Sequence, residues 1–203
     1  MKSRLEHWQS AWDDNPEAKS WVQPRPNLSL AMIDACGLDK DAAILDMGGG
    51  ASTLVDHLLA AGHTNLTVAD ISRNALNLAQ SRLGAAADQV KWVQADACQW
   101  QPEQTFDLWH DRAVFHFLIE AKDRAAYRQR LADAVPSGGH LVMATFALDG
   151  PQKCSGLPIV QYDAAGLAAE IGADFSQTEA ASENHLTPGG ATQKFQYCRF
   201  RRN

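Results

Sequence analysis

The sequence is short of cysteine, of long apolar runs and of positive charge. Its 203 residues hold only four cysteines, at positions 36, 98, 154 and 198. That is too sparse for a disulfide scaffold. The positions give no Cys-x-x-Cys and no zinc spacing, so no metal site is expected. No apolar run reaches the ~18 residues that a membrane span needs. The first ten residues carry Glu6, His7 and Gln9 where a secretory signal would need its apolar stretch. Lys and Arg total 18 against 24 Asp and Glu, for a net charge of −6. Such a chain lacks a general electrostatic grip on phosphate backbones, which argues against non-specific nucleic-acid binding. These absences predict a cytoplasmic protein with neither a membrane nor a nucleic-acid partner. They leave its oligomeric state open.

What is present is ordinary globular material, 45% hydrophobic and 21% charged. The length suits one domain with room for a small appendage. Residues 1–27 are polar and aromatic, with Trp8, Trp12 and Trp21, and end in Pro24-Arg-Pro26, a poor helix interior. A short helix is expected over residues 28–36. Strands and helices then alternate. Strands are expected over 42–46, 66–70, 90–94, 106–110 and 139–146. Helices are expected over 52–61, with Ser52 as cap, and over 72–83, 123–135 and 164–171. Extended segments over 175–183 and 193–201 flank Thr187-Pro-Gly-Gly190 and read as an antiparallel pair. The fold class is therefore α/β. It is a Rossmann-like open sheet of about seven strands, mostly parallel with an antiparallel last strand, and helices on both faces. Residues 1–36 form an N-terminal helical and aromatic cover, and residues 37–203 the main domain.

The strongest signal is Ile44-Leu-Asp-Met-Gly-Gly-Gly-Ala-Ser52, a strand running through three glycines into a helix. Glycine permits positive φ and leaves no Cβ between backbone and ligand. In an open α/β sheet, ligands bind at the carboxyl ends of the strands, where this loop lies. Asp70 ends the second strand and can accept hydrogen bonds from both hydroxyls of a ribose. Asp96 ends the third and is placed to read an adenine amino group. A nicotinamide fingerprint would need glycine where Thr53 stands.

These residues resemble class I S-adenosylmethionine-dependent methyltransferases. Ile44–Ser52 is similar to that family's first motif, and Asp70 in Val68-Ala-Asp-Ile-Ser72 to the second. Asp96-Ala97 is similar to the third, Phe106-Asp-Leu-Trp-His-Asp111 to the fourth, and Pro136-Ser-Gly-Gly-His-Leu-Val142 to the loop and strand after it. The resemblance implies S-adenosyl-L-methionine as cofactor and S-adenosyl-L-homocysteine as product. It implies that Gly48 and Gly50 approach the methionine moiety, with Asp46 supporting the loop beside Ser52. Asp70 takes the ribose, Ile71 stacks on the adenine, and Asp96 with Ala97 meets the adenine edge. His110, placed just past the fourth strand, faces the sulfonium. Gly49 stands where many members have cysteine, a swap expected to be tolerated.

Methyl transfer needs a base only when the nucleophile arrives protonated. The candidates for catalysis are Asp111, Arg112 and His116. Asp111 and Arg112 either pair with each other or act on substrate. His116 is either a base or a half-buried helix residue. Cys154, beside Lys153, and Tyr162 lie on or beside a long Gly- and Pro-rich loop placed as a lid. Each is a substrate contact or a bystander. His185, expected in the last hairpin loop, is a second base candidate. Trp8, Trp12 and Trp21 form either an aromatic cover over cofactor and substrate or a strap on the domain.

Asp111-Arg112 followed by Asp123-Arg-Ala-Ala-Tyr127 is similar to a stretch in small thiol methyltransferases of the thiopurine type. The implied activity is methyl transfer to a small-molecule nucleophile, thiol-like or related. The alternative is protein-lysine methylation. In those enzymes the fourth motif tends to carry Asp-Lys-Gly-Thr, and Asp111-Arg-Ala-Val114 stands here. A nicotinamide oxidoreductase and a non-catalytic cofactor-binding module are the remaining readings.

Overall fold

The computed structural model describes residues 3–12 and 19–203. Residues 1–2 and 13–18 of the expected N-terminal cover lie outside the described residues. Seven strands form one sheet in the order β3-β2-β1-β4-β5-β9-β8. The first five are β1 (Ile44–Met47), β2 (Leu66–Asp70), β3 (Val90–Gln94), β4 (Leu108–Arg112) and β5 (His140–Phe146), all parallel. The last strand in the chain, β9 (Thr192–Arg202), runs antiparallel between β5 and the edge strand β8 (Phe175–Leu186). A small hairpin of β6 (Lys153–Cys154) and β7 (Leu157–Pro158) stands apart.

Burial on both faces explains why the central strands begin apolar and keep their charged residues towards their carboxyl ends. Every residue of β1 is buried. On one face α2 (Asn27–Asp34), α3 (Leu54–Ala60) and α4 (Arg73–Leu83) pack Met32, Leu54, Leu58 and Leu76 against Ile44, Leu66, Val68 and Val142. On the other face α5 (Ala121–Ala134) and α6 (Ala164–Ile171) pack Tyr127, Leu131, Leu167 and Ile171 against Leu45, Trp109, Leu141 and Met143. This is the expected α/β architecture.

Local differences have local causes. The helix after the glycine loop starts at Leu54 and not at Ser52, although the Ser52 hydroxyl accepts the Leu54 N–H at 3.1 Å. The fourth strand runs two residues further than expected, so His110 lies inside β4 and not past it. His185 belongs to β8 and not to a loop. It is buried, its Nε2 is 2.7 Å from the Ser20 carbonyl, and desolvation lowers its pKa. The first turn of the chain holds an unexpected helix, α1 (Arg4–Ser10). Its cap is reciprocal: Ser3 Oγ accepts the Glu6 N–H, and Glu6 accepts the Ser3 N–H at 2.7 Å.

Candidate active site

The strand ends of β1, β2, β3 and β4 open into one pocket. Gly48 has φ +71° and turns the chain out of β1. A Cβ there would run into Val114. Gly49 takes no positive φ, so its glycine is a matter of space. A Cβ on it would collide with the Asp46 carboxylate, whose Cγ would be 2.8 Å away, and with Val68 at 2.8 Å. Gly50 has φ +44° and is not among the lining residues; a Cβ on it would stand 2.8 Å from Asp70 Oδ2 and 3.2 Å from Ala75 Cβ.

Asp70 lines the pocket from the end of β2. Its Oδ1 accepts the Ser72 N–H at 2.7 Å. Burial pushes its pKa up to about 7, against that hydrogen bond, and Asp46 adds to the rise. Ser72 Oγ caps α4 through the Ala75 N–H. Asp96 accepts the Cys98 N–H at 2.8 Å and lies 3.5 Å from the Arg4 guanidinium. Ile71, Ala97 and Ser52 line the same wall.

Strand alternation separates the three polar residues of His110-Asp111-Arg112. His110 and Arg112 face the pocket. Asp111 faces α5, fully buried, and accepts from the Tyr127 hydroxyl at 2.6 Å and the Val114 N–H at 2.9 Å. Burial pushes its pKa up to about 6. It therefore shapes the turn at Ala113, whose φ is +71°. Arg112 does not pair with Asp111. It donates to the Tyr197 hydroxyl at 2.9 Å and the Trp21 carbonyl at 3.0 Å, lies over the Phe195 ring and approaches Glu183 at 3.7 Å. His116 is wholly buried outside the pocket lining, and its Nδ1 accepts the Phe146 N–H at 3.3 Å. Desolvation, helped by Arg112, lowers its pKa to about 3. The structure thus takes Asp111 and His116 away from any position touching substrate.

His110 makes the site's tightest polar cluster. Its Nδ1 lies 2.7 Å from Asp46 Oδ1, and its Nε2 lies 3.0 Å from Ser29 Oγ on α2. Ser29 was not singled out in the sequence, and one serine on an apolar helix gave no signal.

The far end of the pocket is closed by the N-terminal segment and the β6–β7 hairpin. Trp8 stands edge-on to Trp21 and to Phe117, and Trp12 to Trp21. Cys154 lines this end. Burial raises its pKa to about 11, outweighing the lowering by Arg112 and by the Ser155 backbone. Tyr162 packs on Phe115 outside the lining. Helix α1 buries no side chain and is held by polar contacts. Arg4 pairs with Asp123 at 2.6 Å, Gln9 accepts from Ser72 and the Asn74 N–H, and His7 meets Ser155 at 3.3 Å.

Residues 44–139 match a family model described as a methyltransferase domain. That stretch, from β1 to the start of β5, is similar to a methyltransferase domain. A curated relative, thiocyanate methyltransferase 1 of Brassica oleracea, is 26% identical over 144 residues. That match covers 70% of this chain and 62% of the relative's length. Among solved structures, the Burkholderia thailandensis 1,6-didemethyltoxoflavin-N1-methyltransferase, with bound 1,6-didemethyltoxoflavin and S-adenosylhomocysteine, aligns with TM-score 0.68. It is 19% identical over 97% of this chain and 82% of that one. The N-methyltransferase NodS of Bradyrhizobium japonicum WM9, with S-adenosylhomocysteine, aligns with TM-score 0.65 at 18% identity, over 95% and 90% of the two chains. These structural likenesses speak for the fold.

The pocket's own geometry is compatible with S-adenosylmethionine. Gly48 turns at an angle that other residues rarely adopt, and Gly49 leaves no side chain at the lining. Asp70 presents a carboxylate 2.8 Å from where a Gly50 Cβ would stand. Among the described residues, none is part of a cluster able to hold a metal, and no helix is long and apolar enough to cross a membrane.

Proposed function

We propose that the protein transfers a methyl group from S-adenosylmethionine to a small-molecule nucleophile, a thiol or related soft group. The observation that carries this reading is the far end of the pocket. Trp8, Trp12, Trp21, Phe117 and Cys154 enclose it, and the chain's own first helix lies over it. That enclosure suits a small acceptor better than a polypeptide. Aromatic faces also suit a sulfonium.

When bound, the cofactor supplies an electrophilic methyl group. The chain's part is to hold and align. Gly48 and Gly49 admit the amino-acid end, with Asp46 behind them. Asp70 accepts from the ribose hydroxyls. Ile71, Asp96 and Ala97 bound the adenine. Arg112 and Trp21, joined by their hydrogen bond, set the acceptor end. Residues 1–36 act as a cover that excludes water once both ligands are in place.

Incubation with methyl-labelled cofactor and a lysate tests the acceptor class. Label in the small-molecule fraction supports this reading. Label confined to protein replaces it with lysine methylation.

A further inference from the structure

Asp46, His110 and Ser29 form a hydrogen-bonded cluster in the pocket wall. The three come from β1, β4 and α2, are all buried, and all line the pocket. A carboxylate only accepts hydrogen bonds. At 2.7 Å, Asp46 therefore takes the Nδ1–H of His110. This fixes the tautomer and leaves the Nε2 lone pair directed at the Ser29 hydroxyl, 3.0 Å away. A carboxylate behind an imidazole also stabilises the imidazolium that forms when the ring takes a proton. The space needed for this arrangement is kept by Gly49, because any Cβ there would displace the Asp46 carboxylate.

The other candidates do not compete. Asp111 faces α5, and His116 is outside the lining. Cys154 keeps its proton at neutral pH. His110 is the one histidine among the described residues that lines the pocket. The charged and titratable groups around it are Asp46 on β1, Asp111 and Arg112 beside it on β4, Asp70 on β2, and Tyr197 on β9, which Ser29 reaches. Tyr197 in turn donates to Glu183 at 3.2 Å on β8.

We propose that Ser29, His110 and Asp46 form the relay that removes the acceptor's proton. This inference rests on the methyltransferase reading above. Ser29 is the catalytic group that touches the acceptor, and Asp46 is a positioning residue. The acceptor's proton passes to Ser29 Oγ while the Ser29 proton passes to His110 Nε2. The electron pair released from the acceptor's bond to hydrogen forms the new bond to the methyl group. The pair of the broken sulfur–methyl bond stays on the cofactor's sulfur, which becomes neutral. The positive charge lost there reappears on His110, opposite Asp46.

The test compares acceptors that differ in carrying a proton. Wild-type protein, Ser29→Ala and His110→Gln are assayed at pH 7 on a panel of small alkyl thiols, amines and phenols, and on thiocyanate ion, which has no proton to lose. Binding of S-adenosylhomocysteine is measured in parallel. The relay predicts that Ser29→Ala lowers kcat on a proton-bearing acceptor by about 100-fold, the usual scale of general-base assistance. His110→Gln, which keeps an amide towards Asp46, does the same. The loss on thiocyanate is at least about tenfold smaller, and S-adenosylhomocysteine affinity, read beside it, separates lost binding from lost proton removal. Equal losses on both kinds of acceptor, no loss on either, or a wild-type protein that binds S-adenosylhomocysteine yet methylates no proton-bearing acceptor would each overturn the relay. Wild-type protein that binds no S-adenosylhomocysteine would instead overturn the underlying reading.

Discussion

Gly49 and the carboxylate of Asp46 occupy one space. A Cβ at residue 49 would lie 2.8 Å from Asp46 Cγ and 2.8 Å from Val68 Cγ1. Neither neighbour is free to give. Asp46 is held by His110, and Val68 is packed in β2. Gly49→Cys is therefore expected to cost about 1–3 kcal/mol, the scale of an overpacked core. It is also expected to weaken cofactor binding, because Asp46 must swing into the pocket. Thermal unfolding with and without S-adenosylhomocysteine measures both. An unchanged midpoint and unchanged ligand shift would contradict this.

Asp70 is expected to make cofactor affinity depend on pH near neutrality. Its pKa is raised to about 7, so the unliganded protein at pH 6 holds it mostly protonated. Ribose hydroxyls donate to the ionised form. Binding must then release the proton, and affinity falls as pH drops below 7. One linked proton limits the slope to about tenfold per pH unit. Calorimetry at pH 6, 7 and 8 in buffers of different ionisation heat reads both the slope and the proton release. Asp70→Ala is expected to lose at least about tenfold in affinity and to lose the slope. A flat profile in the wild type would remove Asp70 from the ribose.

The N-terminal helix is held down by charge and hydrogen bonds more than by apolar burial. Arg4 spans Asp96 and Asp123, and desolvation and both acids act on it at once. Half-exposed pairs of this kind are weak and screened by salt. Arg4→Ala is expected to raise KM for the cofactor several-fold, and 0.5 M salt to do the same in the wild type but not in the variant. Deleting residues 1–27 is expected to abolish turnover while leaving the sheet folded by circular dichroism. Retained turnover would mean that the aromatic segment is only a strap.

The sheet was legible because parallel strands buried on both faces read as apolar runs between glycines and acids. Ile44-Leu45 and Leu66-Thr-Val-Ala69 are of that kind. The candidate site was legible for a related reason: a parallel sheet gathers its strand ends, so Asp46, Asp70 and Asp96 line one pocket. What lay beyond reach were the partners of polar residues inside β4. Tyr127, Tyr197 and Ser29 are 16, 85 and 81 residues from the side chains they hold. No periodicity announces such pairs. One signal was available and decisive. Alternation along β4 puts Asp111 on the face opposite His110 and Arg112, which divides structure from site. Helix α1 was hidden because it has no buried stripe, although Ser3 and Glu6 spell out its cap.

The central claim is that the glycine loop and the acids on its rim hold S-adenosylmethionine. Titrating the purified protein with S-adenosylmethionine and S-adenosylhomocysteine by calorimetry, with a nicotinamide dinucleotide as control, tests it most directly. The account predicts binding of the first two at about micromolar Kd, near −8 kcal/mol, and no heat from the third. Heat from the dinucleotide alone, or from none of the three in a folded sample, would contradict it.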